Sequence, residues 1–155
     1  MTTGQDPRPP HLDLRFVALV AAGGAVGTGI REALALAWPA APTGFPLTVF
    51  LINVVGAFAL GLLLEGLRRR GADEGRRRIL RLALGTGVLG GFTTYSSLAT
   101  DVALRLGPAT ATALEYAAAS ILLGFIASVA GIALASALHR RSAEGRGASS
   151  GRSAG

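Results

Sequence analysis

The uncharged run from Leu82 to Thr100 constrains this chain most, because it is long enough to cross a bilayer yet poorly suited to one continuous helix. Four glycines occupy its first half, and five hydroxyl side chains follow at Thr93 to Ser97. Unpaired polar groups are costly at bilayer depth. The run therefore predicts a broken membrane helix whose released backbone groups can hold an ion or a polar solute. A kinked helix that packs through its small residues is the alternative.

The composition indicates one small integral membrane unit. Of 155 residues, 50% are hydrophobic and 15% are charged, which is more apolar than a soluble domain. Cysteine is absent, which excludes disulfides and thiolate metal sites. The basic residues are all arginines and lie at the ends of apolar segments. We therefore expect membrane lipid, and no nucleic acid, as a partner.

The apolar segments predict an all-α integral membrane protein with four transmembrane helices, the third of them broken. The predicted spans are about 16–38, 47–67, 79–104 and 110–138, within a membrane domain of residues 16–138. Residues 1–15 and 139–155 are predicted to be disordered tails. A signal peptide competes for the first segment, but the three later segments favour a transmembrane helix. Gly23 and Gly27 give that helix a face for close helix contact.

The distribution of arginines predicts the orientation. Four spans place both tails and the central loop on one side of the membrane, and this side carries thirteen of the fifteen basic residues. The other side carries Arg31 and Arg105. By the positive-inside rule, we expect a multi-pass protein of the cell (inner or plasma) membrane with both termini in the cytoplasm.

Polar residues inside the predicted spans are the candidate site groups. Asn53 lies near the middle of the second span, where an amide must find partners or face water. It serves either contact between helices or a functional site. Tyr116 and Ser120 are four residues apart in the fourth span and therefore share a helix face.

Three stretches, in this order, carry a resemblance to a known family: GGAVGTGIRE at Gly23 to Glu32, INVVGAFALG at Ile52 to Gly61, and GVLGGFTTYSSLATD at Gly87 to Asp101. They resemble the Fluc (CrcB) family of small four-helix fluoride channels, over residues 16–138. The resemblance implies a fluoride-selective channel subunit that exports fluoride from the cytoplasm. It also implies an antiparallel dimer of inverted topology, with two pores along the dimer interface.

The resemblance also implies the site residues. A structural Na⁺ would bind at the break through the backbone carbonyls of Gly90 and Thr93, and no organic cofactor is expected; neutral oxygens suit a hard cation. Arg31 would line an electropositive vestibule. The fluoride pore would include Asn53, Tyr95, Ser97, Leu98, Tyr116 and Ser120.

Two positions depart from the family pattern. Leu98 stands where the motif usually has a second phenylalanine, and Gly124 stands where a serine is expected. One aromatic ring and one hydroxyl are therefore missing, which leaves open whether both pores conduct. A non-conducting assembly subunit stays an alternative. Because the arginines fix one orientation, we expect an inverted homologous partner subunit, in a heterodimer rather than a homodimer.

Other classes of function have less support. A small multidrug transporter needs a carboxylate inside its first helix, and Glu32 is the candidate. It adjoins Arg31 near the helix end, where an ion pair or snorkelling is a simpler account. The sequence has no nucleophile elbow and no clustered His, Cys and Asp, so we expect no enzymatic activity.

Overall fold

A computed structural model describes the backbone of residues 13–152 and the side chains of residues 13–142. This part of the chain is helical and contains no strand. The elements are α1 (Leu14–Ala37), α2 (Leu47–Arg68), α3 (Gly75–Leu80), a π-helix (Arg81–Leu89), α4 (Gly90–Phe92), α5 (Tyr95–Arg105) and α6 (Thr110–Arg152). We call residues 75–105, from α3 to α5, the broken segment. The all-α class and the bend within the third predicted helix are thus confirmed.

Three helices are long and apolar enough to cross a membrane, judged by length and composition within the described residues. They are α1, α2 and the part of α6 that ends at Ser142. These helices begin within two residues of the first, second and fourth predicted spans. The broken segment is divided into shorter pieces and does not meet the same length criterion. The protein is therefore assigned as a multi-pass membrane protein.

The ends of α1 and α6 differ from the predicted tail boundaries. Asp13 caps α1 by accepting a hydrogen bond from the Arg15 amide at 3.0 Å, as aspartate does at helix starts. At the other end, α6 continues to Arg152, although a tail was predicted from residue 139. Directly beyond the apolar span, arginine, alanine and glutamate favour a helix, whereas Gly145, Gly147 and Gly151 further along do not. The predicted tail residues 1–12 and 153–155 lie outside the described residues.

Contacts between helices show the relative directions of α1, α2 and the broken segment. Gly23 of α1 lies against the backbone at Ala83, and Gly27 lies further along against Val88, so α1 and the broken segment run in the same direction. These contacts confirm the predicted packing face of α1. Between α2 and the broken segment the order is reversed. Asn53 pairs with Thr94, whereas Leu64 lies beside Gly85.

The helices α2 and α6 run parallel to each other. Gly131 lies against the backbone of Phe58, and further along both helices Ser136 donates a hydrogen bond to Glu65 at 3.1 Å. The chain between α2 and α6 must therefore travel back across the same distance. The broken segment makes this return, so α1, α2, the broken segment and α6 alternate in direction.

The surface of the chain is strongly apolar. Buried hydrophobic residues in the described part are few: Ile52, Leu67, Leu98, Ala113, Tyr116 and Ala135. The exposed hydrophobic residues of α6 alone include Ile121, Leu122, Phe125, Ile126 and Val129. Soluble monomers rarely expose continuous apolar areas of this kind. The surface suits contact with lipid tails or with the helices of a partner subunit.

Candidate functional site: an interrupted helix bridged by an amide

The helix of the broken segment is interrupted at Thr93 and Thr94. Both residues are extended, with φ, ψ of −78°, 152° and −148°, 121°. Thr94 then caps α5, because its Oγ1 accepts a hydrogen bond from the Ser97 amide at 3.1 Å. Threonine is a preferred residue at this position. The interruption is therefore short, and the sequence carries its own signal for starting the next helix.

Asn53 of α2 bridges the interruption. The Thr94 amide donates to Asn53 Oδ1 at 2.8 Å, and Asn53 Nδ2 donates to the Thr94 carbonyl at 3.0 Å. One side-chain amide thus pairs with both backbone groups of a residue that has left the helix. This contact accounts for a polar residue in the middle of α2. Because Nδ2 carries two hydrogens, Asn53 has a second N–H beyond this pair.

The carbonyls of Gly90 and Thr93 are among those that lose their helical donors at this point. In a continuous α-helix the Thr94 amide would donate to Gly90, and the Ser97 amide would donate to Thr93. Here the first amide donates to Asn53 and the second to the Thr94 hydroxyl. Gly90 lies on the exposed surface and Thr93 is half-buried. Within the described residues no group of three or more His, Cys, Asp or Glu could hold a metal.

Glycines allow the interruption to sit tightly between α1 and α2. The Thr93 methyl group occupies the space where a side chain on Gly56 would begin. Gly91 is in similarly close contact with the backbone of Gly24. The Thr28 hydroxyl donates to the Gly91 carbonyl at 3.3 Å. The neighbouring helices therefore hold the interrupted backbone in place on two sides.

Arg31 also reaches the interruption. Its Nη1 donates to Ser97 Oγ at 3.2 Å, and Ser97 Oγ accepts a further hydrogen bond from the Thr94 hydroxyl at 3.1 Å. The Nε of Arg31 is buried and has no hydrogen-bond partner among the described residues. Arg31 and Glu32 form no ion pair in the described structure, because successive helix residues point in different directions. A positive charge therefore lies beside the start of α5.

Tyr95 and Leu98 lie in the first turn of α5 and differ in burial. Tyr95 is 79% exposed, whereas Leu98 is buried with 8% exposure. The predicted pore aromatic is thus a surface residue of this chain. The leucine that replaces the second phenylalanine packs inside the chain.

Tyr116 and Ser120 place two hydroxyls on one buried face of α6. Within the described residues neither hydroxyl meets the geometric criteria for a hydrogen bond, although the two hydroxyls, one helical turn apart, are close enough to interact with each other. The Tyr116 ring packs edge-on against Phe45, with ring centres 5.4 Å apart. Buried polar groups without partners are rare and unfavourable, so these two hydroxyls mark a candidate binding position. A side chain at Gly124, the third position of this predicted series, would meet open space.

Arg105 is a site residue that the sequence reasoning missed. It is 3% exposed and donates to the carbonyls of Gly44 and Ala41 at 2.8 and 3.2 Å. It also pairs with Asp101 at 2.9 Å. Arg105 thereby holds the proline-rich loop between α1 and α2 against the end of α5. The spacing of Asp101 and Arg105, four residues apart in a helix, is the signal that could have indicated this pair.

Together these features define a small multi-pass membrane protein whose interrupted helix is bridged by an amide from a neighbouring helix. A family model described as CrcB-like protein, Camphor Resistance (CrcB), matches residues 18–132. The chain belongs to the CrcB family, which confirms the resemblance seen in the sequence.

Relatives of known name support this assignment. "Fluoride-specific ion channel FluC 2" of Leifsonia xyli subsp. xyli is 51% identical over 131 residues, which cover 84% of this chain and 90% of that protein. "Fluoride-specific ion channel FluC" of Deinococcus radiodurans is 48% identical over 122 residues, which cover 77% and 94%. The protein of the same name from Caulobacter vibrioides is 43% identical over 119 residues, which cover 76% and 92%. These names describe channels and not enzymes.

Proposed function

We propose that this chain is a pore-forming subunit of a fluoride-specific channel that exports fluoride from the cytoplasm. The observation that carries the proposal is the bridge between Asn53 and Thr94 across the interrupted helix, in a chain whose relatives are named fluoride-specific channels. The proposed pore residues are those predicted from the sequence: Asn53, Tyr95, Ser97, Leu98, Tyr116 and Ser120.

The chemistry of these residues suits a small anion. A selective pore must replace the water around fluoride with protein groups and still release the ion. The second N–H of Asn53 and the buried hydroxyls of Tyr116 and Ser120 are available as donors. The exposed ring of Tyr95 can present its positive edge to an anion in a pore that runs along a subunit interface.

We propose that Na⁺ binds at the interruption through the carbonyls of Gly90 and Thr93. Both carbonyls have lost their helical donors, and Na⁺, as a hard cation, prefers oxygen ligands. Gly90 is exposed, so a second subunit can complete the coordination. Replacing Na⁺ with an organic cation should lower the melting temperature of the purified dimer. An unchanged melting temperature would count against the ion.

The proposed assembly follows from topology and charge. The alternating directions of the four passes support the broken segment as the third membrane crossing. The arginine distribution then places both termini in the cytoplasm, in the cell membrane. A chain held in this orientation requires a partner inserted the other way, which favours a heterodimer with an inverted homologous subunit.

Fluoride efflux from liposomes tests the function. The chain is reconstituted with and without an inverted homologue, and Asn53→Asp is compared with the wild type. Aspartate keeps the acceptor for the Thr94 amide but removes the N–H donors, and its charge repels an anion. We expect efflux to fall by about 10- to 100-fold, the value of a hydrogen bond to a charged group. Thr48→Val is the control, because Thr48 lies on the same helix and donates to Trp38, away from the interruption.

A second candidate function is supported by Leu98. It is buried and offers no polarised ring edge, which fits a subunit that assembles the channel without conducting. Under this alternative, Asn53→Asp leaves efflux from the two-subunit channel unchanged while the complex still forms. Full efflux from this chain alone would exclude the alternative and the heterodimer together.

A further inference from the structure

A cleft lies between α2 and α6 where the apolar parts of both helices end. Its volume is about 590 Å³, within the range of small-molecule sites. We call it the α2–α6 cleft. It is lined by Leu62, Gly66, Arg69, Arg70, Ala135, Leu138, His139 and Ser142.

The cleft has an apolar half and a basic half. Leu62 and Gly66 lie on α2, and Arg69 and Arg70 follow directly after its end. On α6, apolar lining residues likewise precede His139. Because the two helices are parallel, their apolar residues lie at one level and their basic residues at the next. The lining therefore changes from hydrocarbon to cationic along the helix axes.

The basic half retains positive charge. Glu65, a buried carboxylate beside the cleft, already accepts two hydrogen bonds from Arg68 and one from Arg69. Arg69 is oriented by a further bond to Ser136 at 2.9 Å. By contrast, the Arg70 guanidinium is exposed and pairs with none of the described side chains. The charge of Arg70 is thus available to a ligand.

The carbonyl groups at the end of α2 do not oppose an anion. The Leu67 and Arg68 carbonyls accept hydrogen bonds from the backbone amides of Arg70 and Gly71. The Arg70 carbonyl accepts one from the Arg77 side chain at 2.9 Å. The negative end of the helix is therefore already paired within the chain.

We propose that the α2–α6 cleft binds an anionic phospholipid, with its phosphate at Arg70 and His139 and part of an acyl chain along Leu62 and Leu138. Basic pockets between membrane helices are suited to such headgroups. The apolar half favours a lipid over a free phosphate, because a free phosphate has no hydrocarbon chain to contact this half. The site lies in the cytoplasmic leaflet in the topology proposed above, but the binding itself does not depend on fluoride transport.

Native mass spectrometry of the full-length chain tests the charge of the site. The chain is titrated with phosphatidylglycerol and with phosphatidylcholine of the same acyl chains. We expect the anionic lipid to bind more tightly, and Arg70→Gln to lower its affinity about fivefold. Arg76→Gln is the matched control: Arg76 is an exposed arginine of α3 outside the cleft, so this variant should bind phosphatidylglycerol as the wild type does. Equal losses in both variants, or equal affinity for both lipids, would overturn the proposal.

A second pair of variants tests the cleft without changing charge. A side chain at Gly66 would meet no atom within 4 Å, so leucine can fill the cleft and alanine barely enters it. We expect Gly66→Leu to lose phosphatidylglycerol binding at least fivefold and Gly66→Ala to retain it, with similar melting temperatures. Wild-type binding by Gly66→Leu contradicts the site. Complete displacement of the lipid by millimolar inorganic phosphate would assign the cleft to a free anion instead.

Discussion

The contact between α2 and α6 and the contact of the broken segment with α1 use the same kind of packing with opposite results. Gly131 lies on the backbone of Phe58, as Gly27 lies on the backbone of Val88. Yet α2 and α6 continue as smooth helices, whereas the broken segment is interrupted. Glycine therefore permits close approach in both places and does not by itself end a helix.

The difference lies in the hydrogen bonds offered to the backbone. At the interruption, Thr94 supplies a hydroxyl to the Ser97 amide, and Asn53 pairs with the amide and carbonyl of Thr94. Between α2 and α6 the polar side chains bond to one another near the end of α2, as Ser136 does with Glu65. A helix is interrupted here because side chains replace its own bonds, which is the local competition that threonine and asparagine provide.

The largest expected loss of stability comes from a substitution that prevents the close contact between α1 and the broken segment. Gly27→Val would place its first side-chain carbon against the Val88 carbonyl and 2.8 Å from the Phe92 amide. We expect a loss of about 3 kcal/mol in the free energy of unfolding, the upper range for overpacking. Denaturation in mixed micelles measures this loss. Gly29→Val is the control, because nothing lies within 4 Å of a side chain there. Equal losses in the two variants would mean that the loss of stability comes from the helix propensity of valine and not from the contact at Gly27.

The next prediction compares a polar side chain at the interruption with a polar side chain between α2 and α6. Asn53→Ala leaves the amide and carbonyl of Thr94 without partners, and Thr94 is buried, so we expect a loss of about 2 to 3 kcal/mol. Ser136→Ala should cost about 1 kcal/mol, because Glu65 keeps both of its arginine partners. The same unfolding measurement compares the two variants. A larger loss for Ser136→Ala would reverse the comparison.

Arg105, at the far end of α5, provides a further test of side-chain hydrogen bonds to the backbone. Lysine keeps the charge but cannot reach Asp101, Gly44 and Ala41 together, since it lacks the planar fork of arginine. We expect Arg105→Lys to lower the free energy of unfolding by about 1.5 kcal/mol. Arg76→Lys, at an exposed position, should be neutral. A neutral Arg105→Lys would show that charge alone holds the loop.

The smallest expected effect lies outside the helix contacts, in the central loop. Arg81 donates two hydrogen bonds to Asp73 and so holds the pKa of that carboxyl below its ordinary value of 3.8. A lowered pKa stabilises the folded state above the ordinary value, and this contribution is lost as the pH falls through the lower folded value. Because the pair is partly exposed, Asp73→Asn should cost less than about 1 kcal/mol at pH 7.

The pH dependence of the Asp73→Asn effect identifies its cause. The difference from the wild type should shrink as the pH falls below about 4, where the carboxylate of the unfolded state becomes protonated, and disappear below the lower pKa of the folded state. It should also shrink at high salt, which screens exposed charges. Melting temperatures measured across both series check this. A difference that stays constant would assign the effect to packing.

Apolar pattern and glycine spacing sufficed to predict α1, α2 and the close face at Gly23 and Gly27. The interruption was predicted within Leu82 to Thr100, and the family resemblance placed it at the carbonyls of Gly90 and Thr93, but the glycine pattern did not identify Thr93 and Thr94 as the residues that leave the helix. The glycines of that run lie in the π-helix and α4, and the chain leaves the helix after them, at Thr93. The reason is that the partner of Thr94 is on another helix, which no local pattern reveals.

The site residues likewise differ in how well the sequence predicts their contacts. Helix geometry alone predicts that Tyr116 and Ser120 share one face, and both residues lie on a buried face of α6. The bond from Arg31 to Ser97 joins residues far apart in sequence, and sequence reasoning gave Arg31 only a vestibule role by resemblance. The sequence analysis did not single out Glu65, although the arginines three and four positions later indicate its ion pairs.

The bridge from α2 has a consequence for the exposed tyrosine of α5. Tyr95 directly follows Thr94, and Thr94 is registered against Asn53 through both of its backbone groups. Sliding α2 along its axis by one residue, about 1.5 Å, would part this pair and turn the first residue of α5. A helix remote in sequence therefore aims the ring that this chain presents to its surroundings.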